Sequence, residues 1–366
     1  MKFQLFFLFP LLALFLIISC SKAEKSAPIQ ETITSPLPSL TIPTKIDTSS
    51  FLAFSSGIRS ILEDRMGNIW FASNGEGVAK FDGKQFSYFN RASGLSHWQV
   101  RNMYEDEAGR IWIEGGKGIS QYDGLRFIPI EERNFKDRDN WKLGEHDLWF
   151  KGDEMTGYNK SEGQAGVYQY NGKELFFRAF PILSGEGEEN YYSVTTPPVQ
   201  GKNGEVWFGT YGAAIGFDNQ RFRVINNRFL GLSKETGFLH IRGLFVDSHN
   251  NLWIANNGIG VFKYDGKEIS HFTKEQKVSK ADREGNHLDR VFSVGEDIEG
   301  NIWFGTVYSG VWKYDGQSLI NYDEDDGLPC QHIWNIYQSN RGELWFCGDE
   351  PSGVYVFNGT TFERKF

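Results

Sequence analysis

Seven tryptophans recur along the chain, and this recurrence limits the fold more than any other feature. Trp70, Trp112, Trp149, Trp207, Trp253, Trp303 and Trp345 are separated by 42, 37, 58, 46, 50 and 42 residues. A period in the forties carrying four strand-like runs per unit is the pattern of a β-propeller blade. The clearest copies are Ile58–Asn90, Val100–Ile130, Ile241–Thr273 and Val291–Tyr322. The expectation is an all-β chain: a seven-bladed β-propeller over residues 51–366, with four antiparallel strands per blade.

Each copy parses alike. Strand A is a short alternating run such as Ile58–Leu62. A turn follows with Asp and Gly six and three residues before the Trp: Asp64/Gly67, Asp106/Gly109 and Asp297/Gly300. There the carboxylate bonds backbone N–H groups and Gly tolerates positive φ. Strand B holds the Trp, as in Ile69–Ala72, and a Gly-rich connection leads to strand C, as in Gly77–Phe81. A tight hairpin comes next at Asp82-Gly83, Asp123-Gly124, Asn171-Gly172, Asp265-Gly266, Asp315-Gly316 and Asn358-Gly359, with Asp218-Asn219 in copy four. These dipeptides signal type I′ turns. Strand D, such as Phe86–Phe89, closes the unit. A β-helix, the rival tandem fold, does not join four strands by hairpins within one repeat.

Two places are irregular. Copy three has a truncated strand A near Trp141-Lys142-Leu143. Phe51–Ser55 resembles a further D strand that closes or extends the last blade. Cys330 and Cys347 fall about four residues out of register, roughly 13 Å along a strand, too far for a disulfide. Two free thiols are expected.

Residues 1–19 read as a secretion signal: Lys2 precedes an apolar run, Phe3 to Ile18, broken by Pro10. Ile17-Ile18-Ser19-Cys20 resembles the bacterial lipobox, which implies cleavage before Cys20 and lipidation of its thiol. An uncleaved membrane anchor is the alternative. Residues 20–50, rich in Ser, Thr, Pro and Lys, then read as a flexible tether. The cell envelope follows as the location, on the inner or the outer membrane. The net charge is −9, and without basic clusters it argues against nucleic acid as a partner.

The run Ile61–Phe86, ILEDRMGNIWFASNGEGVAKFDGKQF, resembles the two-component regulator propeller repeat. The resemblance extends to all seven copies. It implies kinship with the periplasmic sensor regions of hybrid histidine kinases. Those sensors usually carry two propellers, a membrane helix and a kinase, none of which follows the seventh copy here. A stand-alone module without phosphotransfer is therefore expected.

Catalytic signatures are absent: no GxSxG, HExxH, CxxC pair or phosphate loop occurs. Asp323–Gly327 looks like a calcium loop, but Trp334 stands where an EF-hand needs Glu. It reads better as a solvated acidic loop. No cofactor or metal is expected.

One distribution points to a site. Four of seven histidines, His97, His240, His287 and His332, fall just before a strand A. Their neighbours are Trp98, Tyr191, Tyr192, Asp289, Arg290, Gln331 and Trp334. Arg59, Arg101 and Arg242 share one repeat position, directly after the first apolar residue of strand A. The D-to-A connections converge on one mouth of the channel. They also carry the insertions Glu131–Asn140, Pro181–Asn190 and Lys274–Asn286, joined by the long B-to-C segment Lys151–Gly166. Aromatic faces with Arg and His suit a small ligand such as an oligosaccharide. The bland alternative is ordinary loop polarity. Two other roles remain open: a scaffold for an envelope protein, and a metal-dependent enzyme. The repeat also looks like that of streptogramin-lyase-type propellers, which implies His acting beside a divalent metal. A monomer is expected.

Overall fold

The computed structural model describes residues 43, 45–116, 118–132, 134–152, 154–157, 160–162, 164–182, 192–277 and 287–366. Residues 1–42, on which the expected signal sequence, Cys20 and most of the expected tether fall, lie outside the described residues. No described helix is long and apolar enough to cross a membrane.

From Leu40 onward the chain forms seven antiparallel sheets set around a ring. It is a seven-bladed β-propeller. Blade 1 holds Ile58–Glu63, Ile69–Ser73, Val78–Phe81 and Phe86–Phe89 as strands A to D, joined in that order. Blade 2 runs from Val100 to Ile130, blade 4 from Val199 to Asn226, and blade 5 from Ile241 to Ser270. Blades 6 and 7 span Val291–Tyr322 and Ile333–Arg364. Each strand A lies innermost, against the A strands of neighbouring blades.

Strand B is central in its blade and covered on both faces by neighbouring blades, so it reads as a nearly unbroken apolar run. Leu252–Asn256 and Ile302–Thr306 are buried throughout. The repeated Trp bolts one blade to the next. Trp70 packs against Phe89 of its own strand D and, at 5.2 Å, Tyr122 of blade 2. Trp303 meets Phe346 and Phe357 of blade 7, each at 5.2 Å.

The Asp of the A-to-B turn does more than shape the turn. Asp64 accepts the backbone N–H groups of Met66 and Asn68, and also the indole N–H of Trp70 at 2.8 Å. Asp106, Asp247 and Asp297 hold Trp112, Trp253 and Trp303 in the same way. In blade 7, Ser339 occupies that position and Glu343 takes the indole of Trp345.

The hairpins depart from the expected type I′ turn. Only the glycine is left-handed (Gly83 φ 90°), and Asp82 keeps an ordinary φ. The Asp82 carboxylate accepts from the N–H groups of Lys84 and Gln85. All seven copies repeat this arrangement, and Asn219 (φ 70°) stands in for glycine in copy four.

Blade 3 retains only three strands in its sheet, Leu148–Lys151, Gly166–Tyr170 and Leu175–Ala179. Trp141 forms no strand A; it stacks 5.6 Å from Trp149 and reaches Phe222 of blade 4. The long B-to-C segment here folds as a hairpin, Glu154–Gly157 with Lys160–Glu162. The last residues of the expected tether are not free chain either. Lys45–Asp47 pairs with strand D of blade 1 as a fifth strand.

Phe51–Ser55 is not a strand. Leu52 and Phe54 instead fill the seam between blades 7 and 1 with Trp345, Cys347 and Phe366. Cys330 and Cys347 are both buried free thiols, as expected. The acidic run Asp323–Gly327 is a capped turn. Asp323 caps the single 3₁₀ turn Glu324–Asp326, and Asn90 does the same in blade 1.

Candidate functional site

Strand A carries one β-bulge in each of blades 1, 2, 5, 6 and 7. The pairing skips from Ile58 to Ser60, Val100 to Asn102, Ile241 to Gly243, Val291 to Ser293 and Ile333 to Asn335. The skipped residues are Arg59, Arg101, Arg242, Phe292 and Trp334. A bulge leaves its extra residue out of the ladder and re-aims its side chain. The arginine position noticed in the sequence is therefore a bulge position, shared by Phe292 and Trp334.

Four of these side chains form one continuous cluster. The Arg59 guanidinium lies 4.0 Å from the Trp334 ring centre. The Trp334 indole N–H donates to His332 Nε2 at 2.9 Å. His332 meets the Phe292 ring edge-on at 4.6 Å, and Arg242 lies 5.4 Å from that same ring. The chain of contacts thus runs from blade 1 through blades 7 and 6 to blade 5. Arg290, on the connection into blade 6, lies 5.2 Å from the Tyr308 ring.

Neutral amides brace the arginines. Asn74 accepts from Arg59 Nε at 3.0 Å and from Gln99, whose own oxygen accepts from Arg101 Nε. Asn257 accepts from Arg290 Nε at 2.8 Å. Burial, reinforced by Arg59, Arg290 and Arg242, pushes the His332 pKa down to about 4. Burial, then Arg242 and Arg290, likewise pushes His240 down to about 4. His240 stacks on Tyr211 at 4.1 Å. Near pH 7 both rings are neutral within a positive surround.

The other expected residues are dispersed. His287 Nδ1 faces the Asp289 carboxylate at 3.7 Å, and burial raises that carboxyl above its usual range. His97 accepts from the N–H of Gln99. Trp98 is 45% exposed and lines a separate depression of about 290 Å3 with Lys45, Phe54, Glu76 and Tyr88. Gln331 donates back to the Leu328 carbonyl. Tyr192 is buried in the core between blades 3 and 4, so it leaves the candidate group. Tyr191 lies outside the described residues, as do 183–190 and 278–286 of two insertions.

Sequence reasoning missed Asn74, Tyr211, Asn257, Phe292 and Tyr308. The signal existed: in a four-stranded antiparallel blade, B-to-C and D-to-A connections emerge at the same end. Asn74, Tyr211, Asn257 and Tyr308 all follow a strand B.

A groove of about 850 Å3 also opens between blades 2 and 3, lined by Trp112, Phe135, Tyr170 and Leu175 among others. Its charged residues are of mixed sign, Lys136 and Lys173 beside Glu132 and Glu174, and Arg110 is bound to Asp106. It lacks the convergence of like groups seen at the mouth. Among the described residues no group of three His, Cys, Asp or Glu side chains is placed to hold a metal.

Fold and mouth together define a propeller with an arginine- and aromatic-lined channel opening. A family model described as a two component regulator propeller matches residues 54–75. The extracellular domain of the hybrid two component system BT3049 from B. thetaiotaomicron is similar in structure, with TM-score 0.60 and 19% identity over 86% of this chain. That of BT4673 from the same organism gives 0.58 and 18% over 86%. This chain spans about 40% of each. A streptogramin B lyase structure gives 0.56 and 13%, covering 86% of this chain and 98% of the lyase. No curated protein matches the chain in sequence.

Proposed function

We propose that this propeller is a sensor-like ligand-binding module of the cell envelope, held to a membrane through an acylated Cys20. Its ligand is a small molecule, an oligosaccharide above all, seated on the mouth of the channel. The observation that carries this reading is the cluster of Arg59, Trp334, His332, Phe292 and Arg242, drawn from four blades onto one surface. Flat rings beside forked donors are what sugar rings and their substituents require. The likeness to sensor domains of two component systems agrees with capture of a ligand rather than its conversion. Calorimetry against a glycan panel tests the idea. Trp334→Ala and Arg59→Ala are expected to weaken binding roughly tenfold or more, while both variants keep the wild-type melting profile. Tight binding that neither substitution changes would sink the assignment. Acylation is tested separately by labelled palmitate, whose incorporation Cys20→Ser should abolish.

The lyase likeness raises turnover as a competing reading. His332 is poorly placed as a base, because its Nε2 already accepts from Trp334. Loss of an observed turnover on chelation and in His332→Ala would favour that reading instead.

A further inference from the structure

We propose that the groove between blades 2 and 3 is a second ligand site, independent of the mouth, and that it takes a short apolar peptide bound as a zwitterion. The repeat explains how the groove arises. At the seam of blades 1 and 2, Trp70 is covered by Phe89 of its own strand D and by Phe127 of the next blade, at 6.1 and 6.4 Å. Tyr322 and Phe362 cover Trp303 in the same way, at 5.7 and 6.3 Å. Strand C adds a lysine: Lys80, Lys263 and Lys313 reach over Trp70, Trp253 and Trp303.

All three covering groups are smaller around Trp112. Ile130 pairs with Ile119 as Phe89 pairs with Val78, and Leu175 pairs with Tyr170 as Phe127 pairs with Tyr122. Gln121 stands opposite Trp112 where Lys80 stands opposite Trp70. Two aromatic rings and a lysine thus give way to two aliphatic side chains and an amide, and about 850 Å3 stays open. Packed interiors leave no such space, and this volume suits a drug-sized ligand. The seam of blades 4 and 5 has Ile225 and Ile269 in the same places, yet Leu230 and Leu232 of the following connection pack against it. After blade 2 the connection pairs with blade 3 instead. The Asn134 N–H donates to the Leu175 carbonyl, and its own carbonyl accepts from Phe177. Phe135 is left 60% exposed, its ring 5.7 Å from that of Phe177. The insertion therefore walls the groove rather than filling it.

Floor and rim differ in chemistry. Trp112, Tyr170 and Leu175 are buried and make an apolar floor. The insertion adds Glu132 and Lys136, and the hairpin of blade 3 adds Lys173 and Glu174. Among the described residues none of these four charges is in an ion pair. A ligand of one sign would face two groups of its own charge there. A zwitterion meets an opposite charge at each end. Apolar side chains between those ends cover the floor. The lining offers a neutral sugar two amides, Gln121 and Asn134.

The test titrates the whole chain by calorimetry with tripeptides built from Leu, Phe and Ala, with their N-acetylated amides, and with neutral glucan oligosaccharides. At least one free tripeptide rich in Leu and Phe should bind more tightly than about 1 mM. Its capped form should bind several-fold more weakly. Leu175→Phe combined with Gln121→Lys restores the arrangement around Trp70. It should lower the affinity at least tenfold while the melting temperature holds or rises, because filled space stabilises. Phe135→Ala, an exposed change, should weaken binding several-fold with melting unchanged. Trp334→Ala should leave the peptide affinity as it was, which separates this site from the mouth. A panel in which no tripeptide binds overturns the inference, and so does equal binding by the wild type and the filled variant. A glucan that binds more tightly than every peptide, and is lost in the filled variant, overturns the ligand class.

Discussion

The residue with the widest duties in this fold is the aspartate of the A-to-B turn. Asp64 shapes the turn through two backbone N–H groups and also takes the indole N–H of a fully buried Trp70. Asp64→Ala is expected to cost about 2–4 kcal/mol, because it strands a buried donor and loosens the turn at once. Asp64→Asn keeps an oxygen for one of these tasks and should cost less. Urea unfolding of the two variants measures both, and equal stabilities would show that the indole bond contributes nothing. The turn role was legible in the sequence, since Asp three residues before Gly is a local signal. The indole bond was not, because six residues of separation close into contact only once strand B has folded back.

At the scale of elements, strand C begins where strand D of the same blade passes close by. Gly310 has φ 59°, and a side chain there would meet the Tyr322 carbonyl at 2.2 Å. Gly316, in the adjoining hairpin, has φ 95° and open space around it. Gly316→Ala should therefore cost only the left-handed penalty, about 1–2 kcal/mol. Gly310→Ala adds a backbone clash and should cost at least about 1–3 kcal/mol more. Thermal melts of the pair compare the two, and matching losses would contradict the close approach. Strand order and hairpin positions were readable from spacing alone. The strand A bulges were not, because nothing local distinguishes Arg59 or Phe292 from a paired residue. Only the register against strand B reveals them. The same limit explains why Tyr192 looked like a mouth residue: proximity to a connection does not say whether a side chain turns to core or channel.

For the molecule as a whole, three histidines are held neutral by their surroundings. His240, His271 and His332 each have a folded pKa of about 4, chiefly through burial. An unfolded histidine takes up its proton near pH 6.5. Between those values the unfolded chain binds more protons, so stability must fall as pH drops from about 6.5 toward 4. Glu114 and Asp289 work the other way: burial raises both carboxyls above their ordinary values, which favours the fold as they protonate. The three histidines, joined by turn carboxylates such as Asp82, Asp106 and Asp265 that hydrogen bonds hold below their usual range, outnumber these two and leave a net loss on acidification. Urea midpoints at pH 7.5 and 4.5 should show it, with a smaller drop in His332→Gln. A midpoint that rises on acidification would refute the assignment. Blade number and ring order followed from the tryptophan period. Closure did not, since Leu52, Phe54 and Phe366 are distant in sequence and meet only at the seam of blades 7 and 1.

The bulged position of strand A gives the fold a means of changing its specificity. Residues 59, 101, 242, 292 and 334 lie outside the ladder register of their strands, so exchanging them leaves the backbone pairing in place. Five codons then act as a palette around the channel, while the tryptophans and turn aspartates maintain the scaffold. A combinatorial library at these five codons should yield folded variants with new ligand preferences far more often than one drawn at random from the same strands.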